Sequence, residues 1–119
     1  MIVEKSSVVR KVARRILAAP DRFVIEAASA GEALAMCEAQ MPDCIVVEAN
    51  PSDMVLEEFV RSVRAMQTDV KPLIVVAMIE LDLVRMTKAK RAGADDYLLK
   101  PFDRHQLLAR FAKFERQAA

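Results

Sequence analysis

Short, nearly uninterrupted apolar runs alternate along the chain with longer segments in which apolar residues recur about every 3.6 positions. Runs such as 44–47 and 73–77 are typical of parallel strands that are covered on both faces, and the periodic segments predict amphipathic helices. The predicted strands are 2–3, 23–25, 44–47, 73–77 and 97–99, and the predicted helices begin near residues 6, 29, 55, 82 and 103. Strands and helices therefore alternate along the whole chain.

Several helix ends are marked by capping residues. Ser29 and Glu32 form a capping-box pattern, Gly93 is suited to the end of a helix, and Asp103 is suited to the start of the last one. The first helix is predicted to stop at Pro20 and to place its apolar residues on one inward side. That predicted side contains Val8, Val9, Val12, Ala13, Ile16 and Leu17.

Repeated strand–helix–strand units predict an α/β fold with a parallel sheet and right-handed crossovers. We expect a single domain, residues 1–119, with a flavodoxin-like doubly wound five-stranded sheet of order 2-1-3-4-5 and five helices. The first and third strands then flank the point where the strand order reverses, which is where ligands bind in such sheets. Glu4, Lys5 and Glu48 lie at the ends of these two strands.

Composition narrows the function classes. A net charge of +1, from 18 basic and 17 acidic residues, argues against a nucleic-acid or membrane-surface partner. No apolar run reaches the roughly 20 residues of a membrane span, and no signal peptide is visible. Cys37 and Cys44 are expected to be free thiols in a reducing cytoplasm, without metal, and His105 is expected to be exposed.

Three segments resemble a bacterial response-regulator receiver domain of the chemotaxis (CheY-like) type. Residues 3–11 resemble the opening of such a domain, and residues 42–48 resemble the approach to its phosphorylated Asp. The most specific segment is 92–103, which carries Ala-Gly-Ala, then Tyr97, then Lys100-Pro101-Phe102. The resemblance implies a role in two-component or phosphorelay signalling in bacteria, no enzymatic activity, and a cis peptide bond before Pro101.

The residues that carry the family's chemistry are changed. The acceptor Asp aligns with Glu48, and the acidic pair that helps to bind Mg²⁺ aligns with Glu4 and Lys5. The hydroxyl residue that ends the fourth strand aligns with Ala77. Val55-Leu56 replaces an Asp-Gly, and the sequence leaves open whether these two residues join the core or lie exposed.

Three features of the receiver pattern remain. Lys100 matches the lysine that contacts the phosphoryl group, Tyr97 matches the switch aromatic, and Asn50 occupies the position whose backbone carbonyl binds the metal. Tyr97 could equally be a simple packing residue. Lys100 is expected to form a salt bridge with Glu48.

We therefore expect phosphoryl transfer to be impaired and Mg²⁺ not to bind, so that no cofactor is required. Mg²⁺ needs near-octahedral oxygen ligands, which the Lys5 ammonium cannot supply, and Glu48 is one methylene longer than Asp. Two carboxylates, Glu4 and Glu48, face two ammonium groups, so that the local net charge is zero. Lys5 either replaces the metal or points to solvent; the four-charge cluster is the favoured interpretation.

The leading hypothesis is an atypical, phosphorylation-impaired pseudo-receiver that acts as a cytoplasmic protein–protein interaction module. Its partner would be a histidine kinase, a phosphotransfer protein or an output protein, and a homodimer through the face of helix 4, strand 5 and helix 5 is also conceivable. That predicted face contains Arg85, Lys88, Arg91, Tyr97, Arg104 and Lys113. The basic residues could also be an ordinary solvated surface. The alternatives are a cyclic di-GMP-binding effector and a receiver that is still weakly phosphorylated; a flavin protein is disfavoured because no phosphate loop follows the first strand.

Overall fold

The computed structural model describes the backbone of residues 1–118 and the side chains of residues 1–112. The strands are β1 (Ile2–Val3), β2 (Glu26–Ala27), β3 (Cys44–Glu48), β4 (Leu73–Met78) and β5 (Asp96–Leu99). The helices are α1 (Ser7–Leu17), α2 (Ala30–Ala39), α3 (Leu56–Ala65), α4 (Leu83–Ala92) and α5 (Arg104–Ala118). Strands and helices alternate as predicted.

All five strands are parallel and follow the order β2-β1-β3-β4-β5, which confirms the predicted topology. β3 and β4 form the longest pairing, and it ends where Glu48 lies opposite Ala77. The switch in winding direction falls between β1 and β3. Their carboxyl ends therefore open at the same edge of the sheet, which positions the candidate site.

Alternate side chains of the central strands enter two separate core layers. Ile45 and Val47 of β3 join the layer under α2, α3 and α4, whereas Val46 joins the layer under α1 and α5. β4 alternates in the same way, with Ile74 and Val76 on one side and Val75 on the other. Burial on both faces explains why the two strands read as unbroken apolar runs.

The second strand is not where the apolar run predicted it. Residues 23–25 precede the strand, and Phe23 is fully exposed. β1 consists of only two residues, and in β2 they pair with Glu26 and Ala27. Pairing with β1 therefore determined the position of β2, and hydrophobicity alone did not.

α1 also departs from its predicted inward side. Ala13 and Leu17 are buried, but Val8 and Val12 are 70% and 46% exposed. Arg10 of the same helix is half-buried and donates hydrogen bonds to the Glu4 carbonyl oxygen and to the Glu26 carboxylate. The helix therefore buries fewer of its apolar side chains than the sequence predicted.

The predicted caps are present. Ser29 Oγ accepts from the Glu32 N–H, and Asp103 and Gln106 each accept from the other's backbone N–H at the start of α5. The sequence left open whether Val55 and Leu56 join the core or lie exposed. In the structure Val55 is exposed and Leu56 is buried.

Arg64 links three separate segments. Its guanidinium donates to the carbonyl oxygens of Pro72 and Gly93 and pairs with the Asp95 carboxylate at 2.7 Å. Gly93 ends α4 with a φ of 126°, and a Cβ there would lie 2.8 Å from Arg64 Cγ. Glycine is therefore required at position 93 both by the backbone conformation and by the close approach of Arg64.

Candidate functional site

Two buried carboxylates meet at the mouth of the sheet. Glu4 directly follows β1 and Glu48 ends β3, and they are 4% and 5% exposed. The two carboxyl groups lie near enough to influence each other's pKa. Because adjacent parallel strands end at the same edge, the sequence prediction that these side chains converge there agrees with the geometry.

Lys100 pairs with Glu4, whereas the sequence predicted that it would pair with Glu48. Its Nζ lies 2.6 Å from Glu4 Oε1, and Glu4 Oε2 accepts from the Ser6 N–H at 3.0 Å. The reason is that Glu48 is already bound from another direction: its Oε2 accepts from the Lys5 backbone N–H at 2.6 Å. Lys100 lies beside the cis peptide bond to Pro101, which the resemblance had predicted.

The two carboxyl groups differ in acidity. Burial, and then the nearby charge of Glu4, raise the pKa of Glu48, although the Lys5 N–H and the Lys5 and Lys100 charges oppose them. Burial also opposes ionisation of Glu4, but hydrogen bonds from Lys100 and Ser6 outweigh it and lower the Glu4 pKa. As pH falls, Glu48 therefore takes up a proton before Glu4.

The Lys5 ammonium lies over the outer side of the site. Its Nζ is 3.6 Å from Glu48 Oε1 and donates to the Asn50 carbonyl oxygen at 3.3 Å. Its side chain is 56% exposed, so that water still reaches it. The Lys5 cation, which follows β1, thus contacts one carboxylate and one backbone carbonyl at the end of β3.

Arg85 adds a third cation that sequence reasoning had placed on an interaction face. Its Nη2 donates to the Ala49 carbonyl oxygen and to Asn50 Oδ1, both at 2.7 Å. The first turn of α4 thereby holds the loop that follows β3. The available signal was the Asp82 cap: it sets the start of α4, and the predicted strand order places that start beside the β3 loop.

Ala77 and Tyr97 occupy the remaining predicted positions. Ala77 is buried, and its backbone carbonyl accepts from the Ala49 N–H at 2.8 Å, but its side chain offers no hydroxyl. The Tyr97 hydroxyl donates to the Met86 carbonyl oxygen, and burial raises the pKa of this phenol. Tyr97 is therefore half-buried and anchored to α4.

Three of the other proposed interface residues are more exposed than Arg85, which is half-buried. Lys88, Arg91 and Arg104 are exposed, as is His105, whereas the side chain of Lys113 lies outside the described residues. Cys37 and Cys44 are free thiols, the second only half-buried, and burial raises the Cys44 pKa to about 11.

Among the side chains of residues 1–112, no three acidic, histidine or cysteine groups are arranged as a metal-binding set. In the same part of the chain, no helix is both long enough and apolar enough to cross a bilayer.

The fold and the position of the site define a doubly wound α/β protein of the receiver class. The family model for the response regulator receiver domain matches residues 1–112. The chain therefore belongs to the response-regulator receiver family.

Individual relatives agree with this assignment. The chain is 33% identical over 110 residues to the KDP operon transcriptional regulatory protein KdpE of Escherichia coli, covering 92% of this chain and 48% of KdpE. It is 36% identical over 87 residues to the transcriptional regulatory protein PrrA of Mycobacterium tuberculosis, covering 73% of this chain and 36% of PrrA. The chain thus spans half or less of the length of these curated relatives.

Among solved structures, the chemotaxis protein CheY4 of Vibrio cholerae superposes with a TM-score of 0.88 at 27% identity. The match covers 95% of this chain and 94% of CheY4. Receiver domains act in two-component signalling, where they interact with histidine kinases and output proteins.

Proposed function

We propose that this chain is an atypical receiver whose phosphorylation is impaired and which acts by binding other proteins. The observation that carries the proposal is the Lys5 ammonium, which contacts Glu48 and the Asn50 carbonyl oxygen. The family resemblance assigns these positions to the phospho-acceptor and a metal ligand. This contact supports the proposal, because an ammonium beside these two groups would compete with Mg²⁺ for them.

The donor set does not suit Mg²⁺. The ion requires near-octahedral oxygen ligands at about 2.0–2.1 Å and usually retains several waters. Here Lys5 repels a cation, and the Asn50 amide oxygen is already bound by Arg85. Glu4 is engaged by Lys100 at 2.6 Å. We therefore assign no role to Mg²⁺ in this chain.

Glu48 and Ala77 support the same conclusion. Phosphoryl transfer depends on in-line geometry and on neutralisation of the moving group, and a carboxylate displaced by one methylene disturbs the alignment. The Glu48 carboxyl group accepts from the Lys5 N–H, so it is held in place by a strong contact. The Ala77 methyl group cannot hydrogen-bond to a phosphoryl oxygen, so that contact is absent as well.

The proposed role is consequently recognition, with the site holding the domain in one state. Histidine kinases, phosphotransfer proteins and output proteins are the candidate partners, because these are the proteins that receiver domains contact. We propose no catalytic activity for the chain. The exposed cations Lys88, Arg91 and Arg104 favour a partner surface that carries acidic residues.

The test is the intact mass of the protein after incubation with acetyl phosphate and Mg²⁺. We expect no phosphate-sized increase for the wild type. The matched control is the triple variant Lys5→Asp, Glu48→Asp, Ala77→Thr, which restores the family residues and should gain phosphate. A mass increase in the wild type that disappears in Glu48→Gln would overturn the proposal.

Calorimetric titration with cyclic di-GMP distinguishes the protein-interaction role from a nucleotide-binding role. We expect no saturable heat, because several arginines that a nucleotide would need are already engaged. Arg10 and Arg14 pair with Glu26, Arg64 pairs with Asp95, and Arg85 binds the loop after β3. Stoichiometric binding that is lost on replacing exposed Arg91 with alanine would instead favour the ligand-binding role.

A further inference from the structure

The loop between β3 and α3, residues 49–55, is fastened to three different parts of the fold. The Asn50 carbonyl oxygen accepts from Lys5 Nζ at 3.3 Å, and the Asn50 amide oxygen accepts from Arg85 of α4 at 2.7 Å. A third attachment is made by Asp53, whose carboxylate binds the start of α2. The first two attachments belong to the candidate site, whereas the third lies outside it.

Asp53 caps α2 from outside that helix. Its Oδ1 accepts from the Ala30 N–H at 3.0 Å, and its Oδ2 accepts from the Gly31 N–H at 2.8 Å. Ser29, which precedes the helix, accepts from the Glu32 N–H instead. The first amide groups of a helix lack partners within it and favour a negative charge. The hydrogen bonds from Gly31 and then Ala30 accordingly hold the pKa of the Asp53 carboxyl group below its usual value.

Gly31 leaves the room that this contact needs. A Cβ at this position would lie 3.0 Å from Asp53 Oδ2, which is closer than an ordinary van der Waals contact. Gly31 lies in the first turn of α2, where alanine is otherwise the better helix former. One residue on the loop and one on the helix are therefore matched to the same contact.

The Asp53 anchor lies close to the charged site along the chain. Two residues separate it from Asn50, and one of them is Pro51. Proline fixes its own φ at about −65° and also restricts the residue before it. So short and stiff a segment transmits a displacement of Asp53 to Asn50. Asn50 in turn contacts Lys5, whose backbone N–H and ammonium both contact Glu48.

We propose that residues 49–53 form a strap, in which the Asp53 anchor on α2 determines how Asn50 meets Lys5. Asp53 and Gly31 are both exposed, so the anchor can open without unfolding the core. Opening withdraws the Asn50 carbonyl oxygen from the Lys5 ammonium and leaves that ammonium to Glu48. The strap thus links the start of α2 to the charged site, whether or not Glu48 accepts a phosphoryl group.

Amide NMR spectra of the whole chain test the link. In Asp53→Ala the resonances of Asn50 and Lys5 should shift. Asp53→Asn removes the same charge but keeps one acceptor oxygen, so it should shift them less. Ser29→Ala is the matched control, because it removes a cap at the same end of α2 without touching the strap. Asp53→Ala shifts confined to residues 52–54 and the start of α2, or equal shifts at Asn50 in Ser29→Ala, would overturn the proposal.

A double-mutant cycle tests the anchor from the helix side. Gly31→Ala should be less favourable to stability in urea unfolding of the wild type than of Asp53→Ala, where no carboxylate opposes the added Cβ. In the wild type the same substitution should also shift the Asn50 resonance, because the displaced anchor moves the strap. Equal effects of Gly31→Ala on stability in the two backgrounds would contradict the anchor. The dispersion of the amide spectra verifies that each variant is folded.

Discussion

At the residue scale, the site depends on which cation meets which carboxylate. Glu48 is bound by the backbone N–H of Lys5, and the Lys100 ammonium is directed to Glu4. Each carboxylate thus has a partner from a different segment of the chain. Glu48 is bound by Lys5, the residue after Glu4, and Glu4 is bound by Lys100 of the β5–α5 loop. Buried carboxylates that lacked such partners would be strongly disfavoured.

A double-mutant cycle should show that Lys100 is coupled to Glu4 more strongly than to Glu48. Lys100→Met leaves the buried Glu4 carboxylate without its closest partner and should cost about 1–3 kcal/mol in urea unfolding. Adding Glu4→Gln should recover part of that loss. Equal coupling energies in the cycles with Glu4→Gln and Glu48→Gln would contradict the observed pairing.

The pH dependence of stability should carry a signature of Glu48. Because burial raises its folded-state pKa above the ordinary value, the folded state retains this proton longer than the unfolded state does. The protonated Glu48 carboxyl group therefore makes its full contribution to the stability of the fold below about pH 4.5. This contribution declines as pH rises through the folded-state pKa. Glu48→Gln removes this decline, whereas Glu4 acts in the opposite direction because its pKa is lowered.

Chemical unfolding of wild type and Glu48→Gln across this pH window tests the sign. The stability of the variant relative to wild type should grow as pH increases from about 4.5 towards neutrality. Glu38→Gln serves as a control because that carboxylate is exposed. A difference between wild type and Glu48→Gln that shrinks as pH rises would contradict the raised pKa.

Replacing Lys5 should create metal dependence. In Lys5→Asp three carboxylates converge without the ammonium, so that the variant should melt below the wild type in chelator and recover with Mg²⁺. The wild type should show no Mg²⁺-specific shift when compared with a monovalent salt at equal ionic strength. A clear Mg²⁺-dependent rise in the wild-type melting temperature would mean that Glu4 and Glu48 still bind the ion.

The convergence of these four charged residues could be predicted from the sequence, but their pairing could not. Strand ends that share one edge bring Glu4, Lys5, Glu48 and Lys100 together whatever their rotamers are. The pairing depends on side-chain torsions and on a backbone N–H, neither of which has a sequence pattern. The contact of Arg85 with Asn50 was also missed: the Asp82 cap indicates that Arg85 lies near the loop after β3, but the side-chain torsions that make the contact have no sequence pattern.

At the element scale, helix boundaries were predictable where the sequence contains a capping residue. α2 begins one residue after Ser29, and α5 begins one residue after Asp103. The boundary of β2 was not predictable, because a two-residue strand is set by its neighbour β1 and carries no pattern of its own. The apolar surface of α1 was overestimated, since the sequence cannot tell which part of an apolar stripe meets the sheet.

The first turn of α4 should depend on Arg85. Arg85→Met removes two charge-assisted hydrogen bonds at a half-buried position and should cost about 1–2 kcal/mol in urea unfolding. It should also shift the amide resonances of Ala49 and Asn50. Lys88→Met is the control, because Lys88 is exposed on the same helix. Unchanged resonances in the loop after β3 would mean that Arg85 does not hold it.

At the scale of the whole molecule, the doubly wound sheet followed from the alternation of apolar runs and periodic segments. That alternation leaves few topologies open once crossovers are right-handed and strands are covered on both faces. An exposed apolar groove beside α1 was not foreseen, because it arises only when that helix comes together in space with the β4–α4 loop and the β5–α5 loop. The surface of the domain is thus less predictable than its core.

The contacts of Arg64 have a consequence for how the domain opens. One guanidinium joins the residue before β4, the end of α4 and the residue before β5, so that these segments cannot separate one at a time without breaking charge-assisted hydrogen bonds. Native-state hydrogen exchange should therefore report α4 and β5 as one cooperative opening unit with a common denaturant dependence. In Arg64→Met that unit should divide, with the α4 amides exchanging through smaller, more frequent local openings than those of β5.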